Sequence, residues 1–545
     1  MSKLRALWAT VCLTAPLLTA CGPVDSNVAH GNREGVLHIN NGSEPQTIDP
    51  HIISSVPGGQ IAWALFEGLV TLDPGTLEPM PGVAERWEIS EDQLVWTFYL
   101  RDNARWSNGD PLTAEDFHWS FLRALSPAIG SSFAEYLFPI QGAREYFAGE
   151  LDDPADLGVQ VIDSHTLELT LHQPTPYFFQ SLATFSSSMP VHRATIEAHG
   201  EPFARYTGWT RPENIVSNGP FVLSEWRMQK RLVVSKNPLY WDQQNVALEQ
   251  IVFHPIDSES TEDRMYRVGQ LHKTDMVPLA KIPEFLQSGN PEYRQTPMFG
   301  TYFLILNVER APLDQVKVRQ ALAATIDREL LARSVLHDSV LPHRGIVPRG
   351  IAGYDPELPL PYDPEEGRRL LAEAGYPDGD GFPELEFIFN TSENNRKILI
   401  ALQQMWKNEL GISVTLTNME WRVFVDKLDE RDFQGSRLGW IGGFVDPVMF
   451  LELMTSDNVS NYSGFSNEVY DEIMRVLVPE AETPRERLKL LEEAEVLALK
   501  QAPYIPLYTY TDRYMIRQNV KGFPANLIKY YNYKYVSLAD PMEQK

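Results

Sequence analysis

The side chains able to do chemistry are plentiful in this chain, but none falls into a pattern that performs a reaction. Twelve histidines are scattered without metal-ligand spacing. His337 and His343 lie near each other with Pro342 between them, an arrangement that does not favour shared coordination. Asp378-Gly379-Asp380-Gly381 has the outline of a calcium loop but lacks the third acidic position and the closing glutamate, so it reads as a turn between a helix and a strand. No His-Glu-x-x-His, no Gly-x-x-x-x-Gly-Lys and no Gly-x-Ser-x-Gly is present. Acidic residues number 73 against 47 basic ones, for a formal net charge of -26. A surface this acidic repels phosphate backbones, which excludes nucleic-acid binding. No cofactor and no metal is expected.

The two cysteines carry more information. Lys3 and Arg5 precede an uncharged apolar stretch from Leu7 to Leu18, too short to span a bilayer, and Leu18-Thr19-Ala20-Cys21 follows. Residues 1–20 therefore read as a signal peptide. Leu-Thr-Ala-Cys resembles the bacterial lipoprotein signal, which implies that Cys21 is lipidated and becomes the new N-terminus; the alternative is an ordinary signal with an incidental cysteine. Cys12 leaves with the signal, so no internal disulfide can form and the fold must rest on burial. Two acyl chains on Cys21 would hold the chain on a membrane. Residues 21–35 are polar and small and are expected to form a flexible tether. Export, anchoring and the missing catalytic motifs together favour binding over catalysis.

The elements that must position any site alternate between helix and strand, giving an α/β class with mixed sheets. With 545 residues the chain needs at least two bodies. Strands are expected at 36–40, 94–100 and 166–171, and an antiparallel pair within 221–234. Helices are expected from Thr113, with Glu115 and Asp116 in its first turn, and across 316–336. Another spans 392–410, with Ile398, Leu402, Met405, Trp406 and Leu410 on one face and Gly411 as C-cap. Val414 and Leu416 begin a strand. Thr483-Pro484-Arg485-Glu486 reads as a capping box opening a helix to Lys500.

Several segments, in order over nearly the whole chain, resemble extracellular solute-binding protein family 5, the peptide- and nickel-binding proteins of ABC importers. They are Ser43 to His51, Phe66-Glu67-Gly68-Leu69, Ala84-Glu85-Arg86-Trp87, Trp96 to Arg101, and Trp106 to Phe117. Ser217-Asn218-Gly219-Pro220-Phe221, Asn237-Pro238-Leu239-Tyr240-Trp241 and Val318-Arg319-Gln320-Ala321 with Ile326-Asp327-Arg328 continue the series. The resemblance implies a two-lobed periplasmic-binding-protein fold of type II, in its three-domain variant, closing by a hinge. It places lobe one at 36–55, 185–283 and 506–545, an inserted domain at 56–184, and lobe two at 284–505. It implies a monomer that delivers its ligand to a membrane permease.

Asn418 to Phe424 and Arg437-Leu438-Gly439-Trp440-Ile441 resemble the oligopeptide binders of the family. There an extended peptide is held through its backbone while its side chains enter wet pockets. By that resemblance Ser54, Ser55 and Val56 offer backbone groups at the mouth. Phe133, Tyr302, Phe303, Trp421 and Trp440 wall the cleft, and Arg437 faces a ligand carboxylate. Gly442 and Gly443 follow, and Gly443 stands where peptide-binding members carry an aspartate that pairs with the ligand's free ammonium. Ile305 replaces a glutamate and Asn395 a histidine. Losing one partner of a desolvated charge pair costs ~2–5 kcal/mol. Either Asp446 reaches the ammonium by another route, or the ligand has no free amine there: a cell-wall peptide, an opine or a sugar conjugate. A lipid-anchored envelope hydrolase or chaperone is the alternative from another class.

Overall fold

A computed structural model describes residues 25–151 and 153–539. The first element, α1 (Asn27–Glu34), lies where a tether was expected. Ser26 accepts a hydrogen bond from the Ala29 N–H, and Gly35 closes the helix at φ 69°. The Val28 N–H donates to the Gly269 carbonyl at 2.9 Å and Gly31 is buried, so this polar helix is docked on the fold rather than free. Two caps and one docking bond outweigh a composition poor in apolar residues. Cys21 and the signal lie outside the described residues.

The chain then runs through β1 (Val36–Asn40) and α2 (Val56–Leu65) into a four-stranded unit of β2 (Ala84–Ile89), β3 (Val95–Leu100), β4 (Val159–Asp163) and β5 (Thr166–Thr170). Before β4 comes α3 (Ala114–Leu125), where Thr113 and Asp116 form a reciprocal capping box. After β5, α4 (Phe178–Thr184) leads back to β6 (Phe221–Arg227), β7 (Arg231–Lys236) and β8 (Gln250–His254). β1 pairs with β8 in parallel, and β8, β7 and β6 are antiparallel, giving one mixed sheet in the order β1-β8-β7-β6. The sheet of the preceding segment has the order β2-β3-β5-β4.

A third, six-stranded sheet comes from the rest of the chain: β9 (Tyr293–Leu306), β10 (Leu341–Pro342), β11 (Leu385–Asn390), β12 (Val414–Met419), β13 (Gly435–Ile441) and β14 (Tyr504–Met515). Its order is β10-β14-β9-β13-β11-β12. The expected return to the first lobe at residue 506 falls inside β14. That strand pairs with β9 on both sides of a shift, from Tyr504 to Thr509 and again from Thr511 to Met515, and its far end, at Tyr514, already packs in the core of the β1-β8-β7-β6 sheet. Between Pro297 and Thr301 the β9–β14 register shifts, a bulge that breaks the ladder on the path between the sheets.

Most expected helices form. The 392–410 segment is α5 (Glu393–Leu410), capped by Ser392 and by Gly411 at φ 70°; Trp406 is fully buried and donates through Nε1 to the Leu322 carbonyl at 3.1 Å. α6 (Trp421–Asp429) precedes β13. Thr483 caps α7 (Pro484–Gln501), while Glu486 accepts from the Glu482 N–H rather than from Thr483. The helix expected over 316–336 is broken: Thr325 donates to the Ala321 carbonyl at 2.9 Å and Asp327 caps a new turn by accepting from Leu330. Asp378-Gly379-Asp380-Gly381 is a turn, with Asp378 at φ 53°.

The segments that carried the resemblance are chiefly fold anchors. Arg123 on α3 forms a buried bidentate pair with Asp49 at 3.0 and 2.7 Å. Burial alone would raise the Asp49 carboxyl, but the Arg123 guanidinium outweighs it and the group lies below its usual range. Glu67 accepts from Trp241 Nε1 at 2.6 Å and from the Tyr240 hydroxyl, and Asn218 Nδ2 donates to the Glu67 carbonyl at 2.7 Å. A side chain at Gly219 would fall 2.6 Å from the Leu65 carbonyl carbon, so only glycine lets these segments meet.

Candidate functional site at the junction of the lobes

β9 and β13 are neighbours, and their register sets Tyr302 opposite Gly439 and Thr301 opposite Trp440. Glycine at 439 leaves room for a ring: a side chain there would lie 3.0 Å from Cζ of Tyr510. On this face Tyr302 stacks on Tyr508 with centroids 4.9 Å apart, and the Arg437 guanidinium lies 5.0 Å from the Tyr302 centroid. Burial raises the Tyr302 phenol, with Arg437 opposing. The Tyr302 hydroxyl donates to Asn395 Oδ1 at 3.3 Å, and Asn395 Nδ2 donates to Asn390 Oδ1 at 3.0 Å. Arg437 forms no ion pair among the described residues, and its Nε is buried without a partner. Trp440, opposite Thr301 and so on the other face of β13 with Phe303 and Ile305, carries a second buried donor without a partner in its Nε1. Orphan donors of this kind each cost ~1–3 kcal/mol unless something satisfies them.

Six other expected residues sit elsewhere. Phe303 is fully buried and stacks on Tyr504 at 5.0 Å; strand alternation sends it, with Ile305, into the core on the opposite face from Tyr302. It is a packing residue rather than a cleft wall. Asp446 is buried and held by Arg487 through two hydrogen bonds of 2.8 and 2.9 Å, and it also accepts from the Val448 N–H. Its carboxylate is therefore already engaged and does not reach out to a ligand ammonium. Trp421 begins α6 and is 54% exposed. Ser54 is exposed, Val56 is 65% exposed, and Ser55 precedes α2, its carbonyl accepting from Gly59 at 3.0 Å.

Beyond Trp440 the backbone leaves the sheet and meets the inserted segment. Gly442 donates to the Phe299 carbonyl at 2.7 Å, and Val445 donates to Gln180 Oε1 at 2.6 Å. Phe185, Tyr136 and Phe133 gather on one side, with Tyr136 and Phe185 stacked at 3.4 Å, and Tyr177 stacks on Phe444 at 4.2 Å from the other. Of these rings the sequence singled out only Phe133. The Tyr177-Phe178-Phe179 run was the available signal for the rest. Glu452 reaches solvent here, yet the surrounding protein desolvates it enough, with Asp446 and Glu135 adding repulsion, to push its carboxyl up to about 7. A cavity of about 710 Å³ adjoins this seam, lined by Thr76, Phe179, Gln180, Ile351, Val445 and Leu527, and none of the expected ligand residues lines it.

Comparison with known proteins settles the family. Residues 78–462 match the model of bacterial extracellular solute-binding proteins, family 5. The chain belongs to this family. It is 36% identical over 504 residues to the periplasmic murein peptide-binding protein of Escherichia coli, covering 91% of each chain. It is 35% identical over 532 residues, 95% of each, to the periplasmic oligopeptide-binding protein of Salmonella typhimurium. The crystal structure of the Haemophilus influenzae oligopeptide-binding protein with the peptide RPPGFSPFR superposes with a TM-score of 0.76 at 30% identity, covering 93% of this chain and 99% of that one. The expected two-lobed α/β architecture therefore holds. No helix among the described residues is long and apolar enough to cross a membrane.

Proposed function

We propose that this chain is the substrate-binding component of an ABC importer, capturing peptides between its lobes and handing them to a permease without transforming them. Family membership supports the transport role, since the relatives are binding proteins. The observation that carries the peptide reading is Arg437: a half-buried cation over Tyr302, with an orphaned Nε and no ion pair among the described residues. A peptide carboxylate would neutralise it with charge-assisted hydrogen bonds. Ser54, Ser55 and Val56 would contribute backbone groups from the first lobe, and Trp421 and Trp440 the walls. The lobes would move about β9 and β14, whose broken ladder at Pro297–Thr301 offers a bending point. Cys21 would anchor a monomer to the cell envelope membrane, facing the periplasm or the cell exterior.

A second reading keeps the clamp and changes the ligand to one without a free amine. It is favoured by Asp446 being tied to Arg487 while Gly443 offers no side chain. Native mass spectrometry with a mixed peptide library separates the readings. Free-amine peptides binding, and losing affinity on Arg437→Gln, supports the first; binding only of amine-blocked peptides supports the second. No peptide bound from the library removes the first and restricts the second to non-peptide ligands.

A further inference from the structure

Gly442 and Gly443 both have negative or extended φ, so neither is needed for backbone freedom. Space is the reason for them. A side chain at Gly442 would lie 2.5 Å from Cδ1 of Phe299, and one at Gly443 would lie 2.8 Å from Cε1 of Phe185 and nearer still to its Cζ. Phe185 comes from the stretch after α4, on the first-lobe side, and Gly443 from the loop after β13. The ring cannot swing clear easily, because it is 92% buried with Tyr136 stacked on one face at 3.4 Å and Phe133 at 5.5 Å. Its backbone carbonyl is fixed too, accepting from the Ser188 hydroxyl at 2.7 Å. Two residues further along the loop, Val445 spends its N–H on Gln180. The first lobe thus packs its own side chains against the strip from Gly443 to Val445, leaving Gly443 and Val445 only partly exposed, whereas Ile441 just before it is 58% exposed.

Resting on the peptide-capture reading, we propose that Phe185 is a specificity-determining residue: its ring, seated on Gly443, closes this end of the cleft and limits how far a bound peptide can extend. A ligand residue that passed Trp440 would need the space the ring fills. Overlap in a packed aromatic cluster is resisted, because interiors of this density yield poorly to added volume. Phe185→Ala would open the end without touching Arg437 or Trp440. The Gly443 position provides an independent handle, since Gly443→Ala drives a methyl group into the same ring.

The test is titration calorimetry of the full-length protein with di- to hexa-alanine, comparing wild type, Phe185→Ala, Phe185→Leu and Gly443→Ala in each background. Wild type is expected to lose roughly tenfold or more in affinity beyond a threshold length, and Phe185→Ala to move that threshold up by at least one residue while short peptides bind as before. Gly443→Ala should weaken binding in wild type and be close to neutral alongside Phe185→Ala. Phe185→Leu, which keeps an apolar side chain, guards against loss of folding and should shift the threshold less. Identical length profiles in wild type and both Phe185 variants overturn the end-stop alone. Wild type that binds no alanine peptide and no member of the mixed library overturns the underlying peptide reading as well.

Discussion

Replacing Asp446 by asparagine separates a structural carboxylate from a ligand-binding one. Asparagine keeps the shape and can still accept from the Val448 N–H through its Oδ1, so the local turn survives; what is lost is the negative charge facing Arg487. The pair is well sheltered, with the Arg487 and Asp446 side chains 11% and 10% exposed. Breaking a buried pair by removing one partner costs roughly 3–5 kcal/mol, because the remaining charge is left desolvated. Glu452 is close enough to feel Arg487 and offers a substitute carboxylate, which places the expected loss near the lower end, about 3 kcal/mol. At roughly 2–4 °C per kcal/mol for a domain of ~150–250 residues, the melting temperature should fall by about 6–12 °C. Differential scanning calorimetry reads that change, and calorimetric titration of the same sample reads affinity. Peptide affinity should stay within about twofold of wild type, since the carboxylate is already engaged. An unchanged melting temperature together with lost binding of free-amine peptides would refute the assignment and return Asp446 to the ligand.

Arg123→Met should destabilise the first lobe by roughly 3–5 kcal/mol by leaving Asp49 buried and unpaired, with a combined Asp49→Leu change recovering much of it; urea unfolding that shows an additive double variant counts against the pairing. Against the upward push of burial Asp49 is depressed by Arg123, and His51 is lowered to about 4 by burial first and Arg123 second, so both favour the fold at neutral pH and release that stability as pH falls: His51 from about 6.5 downward, Asp49 below about 3.8. Glu495 has the opposite sign. Burial holds its carboxyl up to about 7 against 4.5, with the hydrogen bonds it accepts from Val347 and Tyr354 opposing, so the fold prefers it protonated and stability falls as pH rises between those values. The stability advantage of Glu495→Gln over wild type should therefore grow between pH 5 and pH 8 in urea melts, and an advantage that does not change with pH would sink the reasoning. Cys21→Ser should abolish labelling by radioactive palmitate and release the protein from the membrane fraction; retention there would show that Cys21 is not the anchor.

How much of this was legible follows from what each segment does. Helices α5 and α7 announced themselves because their apolar spacing and caps are local, within a few residues. The family segments were legible for a different reason: Asp49, Glu67, Asn218, Tyr240 and Trp241 are recognisable because they hold one another. They build the first lobe and its joint with the inserted sheet. Recognising them therefore identified the clamp and left its contents open. α1 was hidden because two caps and a docking bond, rather than an apolar stripe, make it stable. The break at Thr325 was hidden because a threonine bonding back to Ala321 looks, in sequence, like one more residue of a helix.

The site itself was half legible, and the division has a physical cause. Arg437 and Trp440 lie on one strand, so their neighbourhood could be read from a short segment. Whether Tyr302 or Phe303 faces Arg437 depends on the parity of β9 against β13, which a register shift of one residue would reverse. The contact of Phe185 with Gly443 joins residues far apart in the chain, and neither type announces the other: a lone glycine reads as flexibility and a lone phenylalanine as core. Seen together, the glycine is a seat and the ring its occupant. Sequence read the missing carboxylate at 443 as an absence, whereas the fold shows why nothing larger than hydrogen is tolerated there. An aspartate at 443 would have to displace Phe185 from Tyr136 before it could meet any ligand. Gly443→Asp alone should therefore fail to create a free-amine site, and only its combination with Phe185→Ala gives the carboxylate room. If the single Gly443→Asp variant gained free-amine affinity with Phe185 intact, the ring would have to be mobile and the end of the cleft open.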